Sequence, residues 1–354
     1  VDYKKDMSQF EAQPGIDVLY KKNETNDIFT LIYVFNTGTE NDPALNLAFN
    51  YLSYLGTDKM TAEEIASEMY DIACSFYMNA GANQSSIQIT GLSENMGKAM
   101  EIVEGLIAGA KPDEAILENL KGDMLKSRAD AKLNQSRCFG ALQRYLFYGG
   151  DFIRRTTLTD PALQALTSEQ LLAKIGGLMG KQHEVLYYGP QKEAEVKSAL
   201  AKHHKVAADL QPLEKKFSTL LPTDANKVVL AQYDAKQLYY LQFSNRGEKF
   251  DVAADPEITL YNEYFGGGMN TIVFQEMREA RGLAYTAWAT LATPSNANGD
   301  YSYYAFIATQ NDKMQKAVEA FDDIINNMPE SEKAFGIAKE ALVSRLRTER
   351  TVKD

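Results

Sequence analysis

The chain has 354 residues, 45% hydrophobic and 24% charged, a balance that supports buried cores with room for two domains and excludes a disordered chain. Lys and Arg number 37 against 48 Asp and Glu, so the formal net charge is −11, which opposes nonspecific attraction to nucleic acid or an anionic membrane. The apolar runs fall short of the roughly 18 to 20 residues that cross a bilayer, and the N-terminal stretch lacks a signal-peptide apolar core, so neither a nucleic-acid partner nor membrane insertion is expected.

In chain order, residues 29–35 are rich in β-branched and aromatic side chains and predict a strand that ends at Asn36, Thr37 and Gly38. A helix is predicted over 43–55, stopping at Gly56. Thr61 and Glu64 write a T-x-x-E capping box, and Ile65, Met69 and Ile72 follow at helical spacing. Residues 85–90 alternate as a half-buried strand, 95–107 form an amphipathic helical pattern, and Pro112 opens a long helical region to Tyr148. Thr167 and Gln170 cap a further helix, and 184–188 read as a closing strand before Gly189 and Pro190. Cys74 and Cys138 stand apart with no C-x-x-C spacing and read as core fillers.

A polar connector over 205–226, with Pro212 and Pro222, separates a first unit, 1–204, from a second, 227–354. In the second, 228–231, 238–243 and 301–307 predict strands, and helices are predicted over 314–328 and 332–351. Pairing Met96 with Met314, and Lys121 with Lys339, gives one offset of 218 (314 − 96; 339 − 121), which points to a duplicated unit. By that offset the second unit stops before the counterpart of 170–188, so it is expected to be C-terminally incomplete, with an exposed sheet edge.

The most informative run is 261–285. Ile258, Leu260, Tyr261 and Tyr264 share a helical face after Pro256, and three glycines, 266–268, then allow positive φ or close approach to another segment. Gly268 precedes Met269 and Asn270 rather than Gly-Lys-Ser/Thr, which excludes a phosphate-binding loop. Asn270 is placed to cap a second helix carrying Ile272, Val273, Phe274 and Met277, stopped by Gly282. Taken alone, Arg278 is a charge near a helix end and Tyr285 a strand aromatic. The run resembles the signature of the non-catalytic half of M16 (insulinase or pitrilysin family) zinc peptidases, in which an Arg and a Tyr at this spacing contact the peptide. Here they are Arg278 and Tyr285, seven positions apart (285 − 278).

The resemblance implies an α+β chain of two tandem M16-like (LuxS/metallohydrolase-like) units, each an antiparallel sheet packed with a layer of helices, together forming one half of a clamshell. In the family's catalytic half a helix carries His-x-x-Glu-His shortly before a Gly-Thr pair, and a later helix supplies another Glu ligand. Gly56-Thr57 matches that pair, and counting back puts Leu47, Asn50 and Tyr51 at the positions of His, Glu and His. Leu and Tyr do not replace imidazoles, and Asn is no general base. The region of the last Glu, 122–130, has acids without imidazole partners.

The only histidines, His183, His203 and His204, form no metal-binding pattern, no G-x-S-x-G elbow occurs, and Glu63-Glu64 and Asp322-Asp323 read as solvated surface. The chain alone is therefore expected to hold no metal and no catalytic residue. The resemblance implies Zn2+ in a partner catalytic half, fused or separate, with Arg278 and Tyr285 serving peptide substrates. The alternative is a catalytically dead M16-like scaffold subunit; a third is a free-standing peptide-binding module. Localisation is open: the resemblance suggests a bacterial periplasm or cell envelope, and two unpaired cysteines fit cytoplasm as well.

Overall fold

The computed structural model describes residues 3–213 and 218–349. A short helix α1 (Tyr3–Asp6) leads into β1 (Ser8–Gln13), β2 (Ile16–Lys22) and β3 (Ile28–Phe35), followed by α2 (Leu45–Leu52) and α3 (Ala62–Asp71). Then come β4 (Cys74–Ala80), β5 (Ser85–Leu92), α4 (Met96–Gly109), α5 (Glu114–Lys132), α6 (Gln135–Thr156), α7 (Asp160–Ala165), α8 (Ser168–Met179), β6 (His183–Gly189) and α9 (Glu193–His203). Both predicted capping boxes form: the Thr61 hydroxyl accepts from the Glu64 N–H, the Thr167 hydroxyl from the Gln170 N–H, and each N3 side chain reaches back to its cap.

These strands make one sheet in the order β1-β2-β6-β3-β5-β4. It is mixed, not purely antiparallel as expected, because β6 returns after the helices and inserts between β2 and β3, parallel to β2 and antiparallel to β3. One face buries Phe29, Leu31, Tyr33 and Phe35 from β3 with Val185 and Tyr187 from β6, packed with Leu47, Phe49 and Tyr51 of α2 in one core. Each large side chain so buried contributes about 1.5–3 kcal/mol relative to exposure.

The second part comprises β7 (Gln237–Ser244), α10 (Asp255–Phe265), α11 (Ile272–Phe274), a π-helical stretch Gln275–Ala280, β8 (Thr286–Ala292), β9 (Ser302–Gln310), α12 (Met314–Asn326) and α13 (Glu332–Thr348). Its sheet is antiparallel, in the order β7-β9-β8. Ala287, Ala289, Ala305 and Ile307 join Phe265, Val273, Met277 and Phe321 in a separate core. The duplication is visible in the elements: α4 and α12 begin 218 residues apart (314 − 96), as do α5 and α13 (332 − 114).

By compactness, residues to Ala131 with Gly150–Ser218 form one unit, and Lys132–Gly149 with 219 onward form the other. The first part of α6 thus belongs with the second unit, although the sequence division placed it in 1–204. The reason is aromatic packing: half-buried Phe139 packs on Tyr239 and Phe306, and Phe147 on Phe243 and Tyr304. α6 breaks at Gly149, whose φ of 81° suits glycine. Part of the expected connector is also structured, since Leu210 lies in the first core and Gln211 bridges Lys181. The strand predicted at 228–231 does not form; Val228 and Leu230 are 83% and 82% exposed. In the first unit the matching β2 pairs inward only with β6, and among the described residues nothing takes that place beside β7.

Candidate functional site

On α2, the positions of the lost zinc motif serve packing. Leu47 and Tyr51 are 2% and 0% exposed, while Asn50 faces outward. The Tyr51 hydroxyl accepts from the Asp113 N–H at 2.7 Å and donates to Ser168 Oγ at 2.7 Å, tying α2 to the starts of α5 and α8. Its oxygen is committed, Leu47 offers no donor atom, and Asn50 points elsewhere, so these residues do not fit a zinc ion. Among the described residues no group of three or more His, Cys, Asp or Glu is arranged to hold a metal.

The three glycines of the 261–285 run have unequal roles. A Cβ on Gly266 would lie 1.8 Å from the Ala289 carbonyl oxygen, and the Ala289 N–H donates to the Gly266 oxygen at 3.0 Å, so α10 ends pressed against β8. Gly267 and Gly268 have open surroundings, and none of the three has a positive φ. The N-cap of α11 is Thr271, not Asn270; its hydroxyl donates to the Gly268 carbonyl at 2.7 Å and closes the turn there. After one α-turn the chain widens into the π-helix carrying Arg278, with the Arg281 N–H donating to the Glu276 carbonyl at 3.2 Å. π-Helical turns inside helices are frequent at functional sites.

That geometry sets Arg278 beside Tyr285. The guanidinium carbon is 5.2 Å from the Tyr285 ring centre and 5.0 Å from that of Phe274, within cation–π range of both rings. The carboxylate of Glu279 lies 3.6 Å from Arg278 Nε. Tyr285, one residue before β8, is 69% exposed, and the Arg278 side chain is 42% exposed. The pair therefore presents a guanidinium fork and a phenol to solvent. Phe274 was not singled out by sequence reasoning, although its i, i+4 spacing to Arg278 carries the signal.

Residues 181–342, which include this run, match the family model described as the peptidase M16 inactive domain. Over those residues, somewhat less than half of the chain, it is similar to that domain. It is 22% identical over 266 residues to an uncharacterized zinc protease of Streptomyces coelicolor, covering 70% of this chain and 56% of that protein. A second such protease, from Rickettsia bellii, is 23% identical over 309 residues, 84% of this chain and 70% of its own length. The chain thus spans little more than half the length of the Streptomyces relative. Among solved structures, a peptidase M16 inactive domain from Pseudomonas fluorescens aligns with a TM-score of 0.73 at 17% identity, covering 97% of this chain and 85% of that one. The periplasmic protease PqqL of Escherichia coli gives 0.76 at 14% identity, covering 97% of this chain and 39% of PqqL. At such identities the likeness establishes the M16 fold.

The histidines converge in a way the sequence did not announce. His183 at the start of β6 and His204 after α9, 21 positions apart (204 − 183), meet with Nε2 atoms 2.9 Å apart in the first core. His183 Nδ1 lies 2.8 Å from the Lys181 carbonyl oxygen, and His204 Nδ1 lies 2.5 Å from Glu104 Oε1. From these partners, His183 donates to the carbonyl through Nδ1 and accepts through Nε2 from His204. Burial lowers the His183 pKa to about 4, with the neighbouring His204 adding to the shift. Burial, and then the charge of Glu104, push the nearby Tyr33 hydroxyl well above the ordinary tyrosine value. The cluster is sealed in the core; His183, His204, Glu104 and Tyr33 are each below 10% exposed.

Proposed function

We propose that this chain is the non-catalytic half of an M16 zinc metallopeptidase, which closes the chamber and positions peptide for hydrolysis by a zinc-bearing half outside this chain. The observation that carries the reading is the contrast between two sites of one chain. At the zinc-motif positions, Leu47 and Tyr51 are committed to the core, whereas Arg278 and Tyr285 stand side by side and exposed. The comparisons support the same assignment: the matched model is an inactive domain, and the relatives are named zinc proteases.

In this reading Arg278 donates to a substrate carbonyl oxygen, and its stacking on Phe274 and Tyr285 fixes the direction of the fork. Tyr285 offers its O–H to negative charge developing on the carbonyl oxygen, which is worth most where water is excluded by the joined halves. Neither side chain binds metal, so removing either lowers turnover without changing zinc content. The test is Arg278→Ala and Tyr285→Phe in the assembled protein: turnover of an unstructured peptide should fall by about 100-fold with zinc unchanged. Unchanged turnover would remove these roles, and a metal-free, inactive assembly would transfer the weight to a scaffold.

A further inference from the structure

Both members of the Arg278–Tyr285 pair are exposed, so burial of the two side chains does not fix their spacing. The backbone between them does. The Met277 carbonyl accepts from the Leu283 N–H at 2.9 Å and from the Ala284 N–H at 3.3 Å, which folds residues 278–282 into a closed loop with Arg278 at its entrance. Gly282 turns that loop with a φ of 57°, a left-handed conformation that favours glycine. At its exit the Tyr285 N–H donates to the Ala308 carbonyl at 3.1 Å, where β8 joins β9.

Two carbonyls of this segment lie outside the β8–β9 ladder, which begins at Thr286 and Ala308, and two side chains from β9 and its connection to α12 take them. The Thr309 hydroxyl donates to the Leu283 carbonyl at 2.5 Å, and Lys313 Nζ donates to the Gly282 carbonyl at 3.2 Å. Thr309 is 3% exposed and continues the inward stripe of Ala305 and Ile307 on β9. A hydroxyl is costly at such a core position unless it is hydrogen-bonded, so its bond to Leu283 accounts for a polar residue there. We propose that Thr309 is a positioning residue for the Arg278–Tyr285 pair. Through the Leu283 carbonyl it holds the segment that sets the guanidinium carbon 5.2 Å from the phenol ring, and Lys313 supports the same segment. The inference rests on the reading of that pair as the groups that position peptide. Without the hydroxyl, the Leu283 carbonyl loses its partner and Arg278 and Tyr285 lose their common direction. Tyr285 acts on charge that develops only in the transition state, so its misplacement lowers kcat more than it raises KM.

The test places Thr309→Val and Thr309→Ser in the protein assembled with a zinc-bearing M16 half. Thr309→Val should lower kcat about tenfold with KM within about twofold and zinc content unchanged, and Thr309→Ser, which keeps the hydroxyl, should recover kcat to within about twofold of the parent. In an Arg278→Ala, Tyr285→Phe background Thr309→Val should cost less than about twofold, because a residue acting through the pair has nothing left to position. In this chain the amides of Leu283, Ala284 and Tyr285 should exchange at least about tenfold faster in Thr309→Val, with those of Ala289 and Ala305 unchanged. Full activity of Thr309→Val beside impaired pair variants overturns the role of Thr309 alone, whereas unchanged turnover in the pair variants removes the reading of the pair and this role together. A loss that persists in the pair background, or that Thr309→Ser does not recover, is a general structural effect and overturns the proposal. If Thr309→Val does not fold, Lys313→Met reads the same segment: a kcat about threefold lower that returns to parity in the pair background sustains the proposal, and an unaltered kcat overturns it.

Discussion

Acid should destabilise the first unit through His183 before it affects the second. The native structure holds this imidazole at a pKa of about 4 against 6.5 for the free group, mainly by burial. A lowered pKa means that the unfolded chain binds the extra proton more readily, so the contribution is complete above pH 6.5 and is lost as pH falls through about 4. The full difference corresponds to about 3 kcal/mol, most of which is lost by pH 4.5. Structurally, the added proton on His183 Nε2 faces the proton that His204 donates, so the 2.9 Å bond cannot survive. All three histidines lie in the first unit and the single tryptophan, Trp288, in the second, which supplies an internal control. Denaturant unfolding between pH 7.5 and 4.5, followed by hydrogen exchange of β3 and β6 and by Trp288 fluorescence, should show the first unit weakening by roughly 2 to 3 kcal/mol more than the second. His183→Gln should flatten that difference. Equal pH slopes in the two units, or an unchanged slope in the variant, would refute the assignment.

Gly266→Ala should destabilise the second unit by more than about 3 kcal/mol or prevent its folding, because the added carbon meets the Ala289 carbonyl, while Gly267→Ala, whose nearest neighbour is 3.8 Å away, should stay within about 0.5 kcal/mol in thermal melts. Tyr51→Phe should cost the first unit about 1–3 kcal/mol, since it strips partners from the Asp113 N–H and Ser168 hydroxyl. Replacing Leu47, Asn50 and Tyr51 together by His, Glu and His should leave zinc content near zero and lower stability by about 3 kcal/mol or more, as two core positions would receive polar rings; a stable, zinc-loaded variant would contradict this.

Features with local causes were legible in the sequence. The capping boxes at Thr61 and Thr167, strand β3, and the 218-residue offset all follow from neighbours in the chain, whereas Arg278 and Tyr285 are singled out by the family resemblance, since their spacing alone marks only a helix-end charge and an aromatic. What failed depends on distant partners. The run 228–231 has the composition of a strand, but a strand needs an adjacent ladder, and β7 does not supply it there. β1 reads as polar because only alternate residues touch the sheet's core, and the insertion of β6 beside β2 is a matter of topology. The π-helical widening at Gln275–Ala280 leaves no mark in propensity. The His183–His204 contact joins residues from a strand start and a helix end that no periodicity relates.

We propose that this chain contributes substrate-positioning groups but no metal, which is tested most directly by zinc content and cleavage of a quenched unstructured peptide, on the chain alone and after joining it to a zinc-bearing M16 half. The account predicts no zinc and no cleavage by the chain alone, with about one zinc per assembly and turnover appearing together once the halves are joined. Zinc binding or cleavage by this chain alone would contradict it.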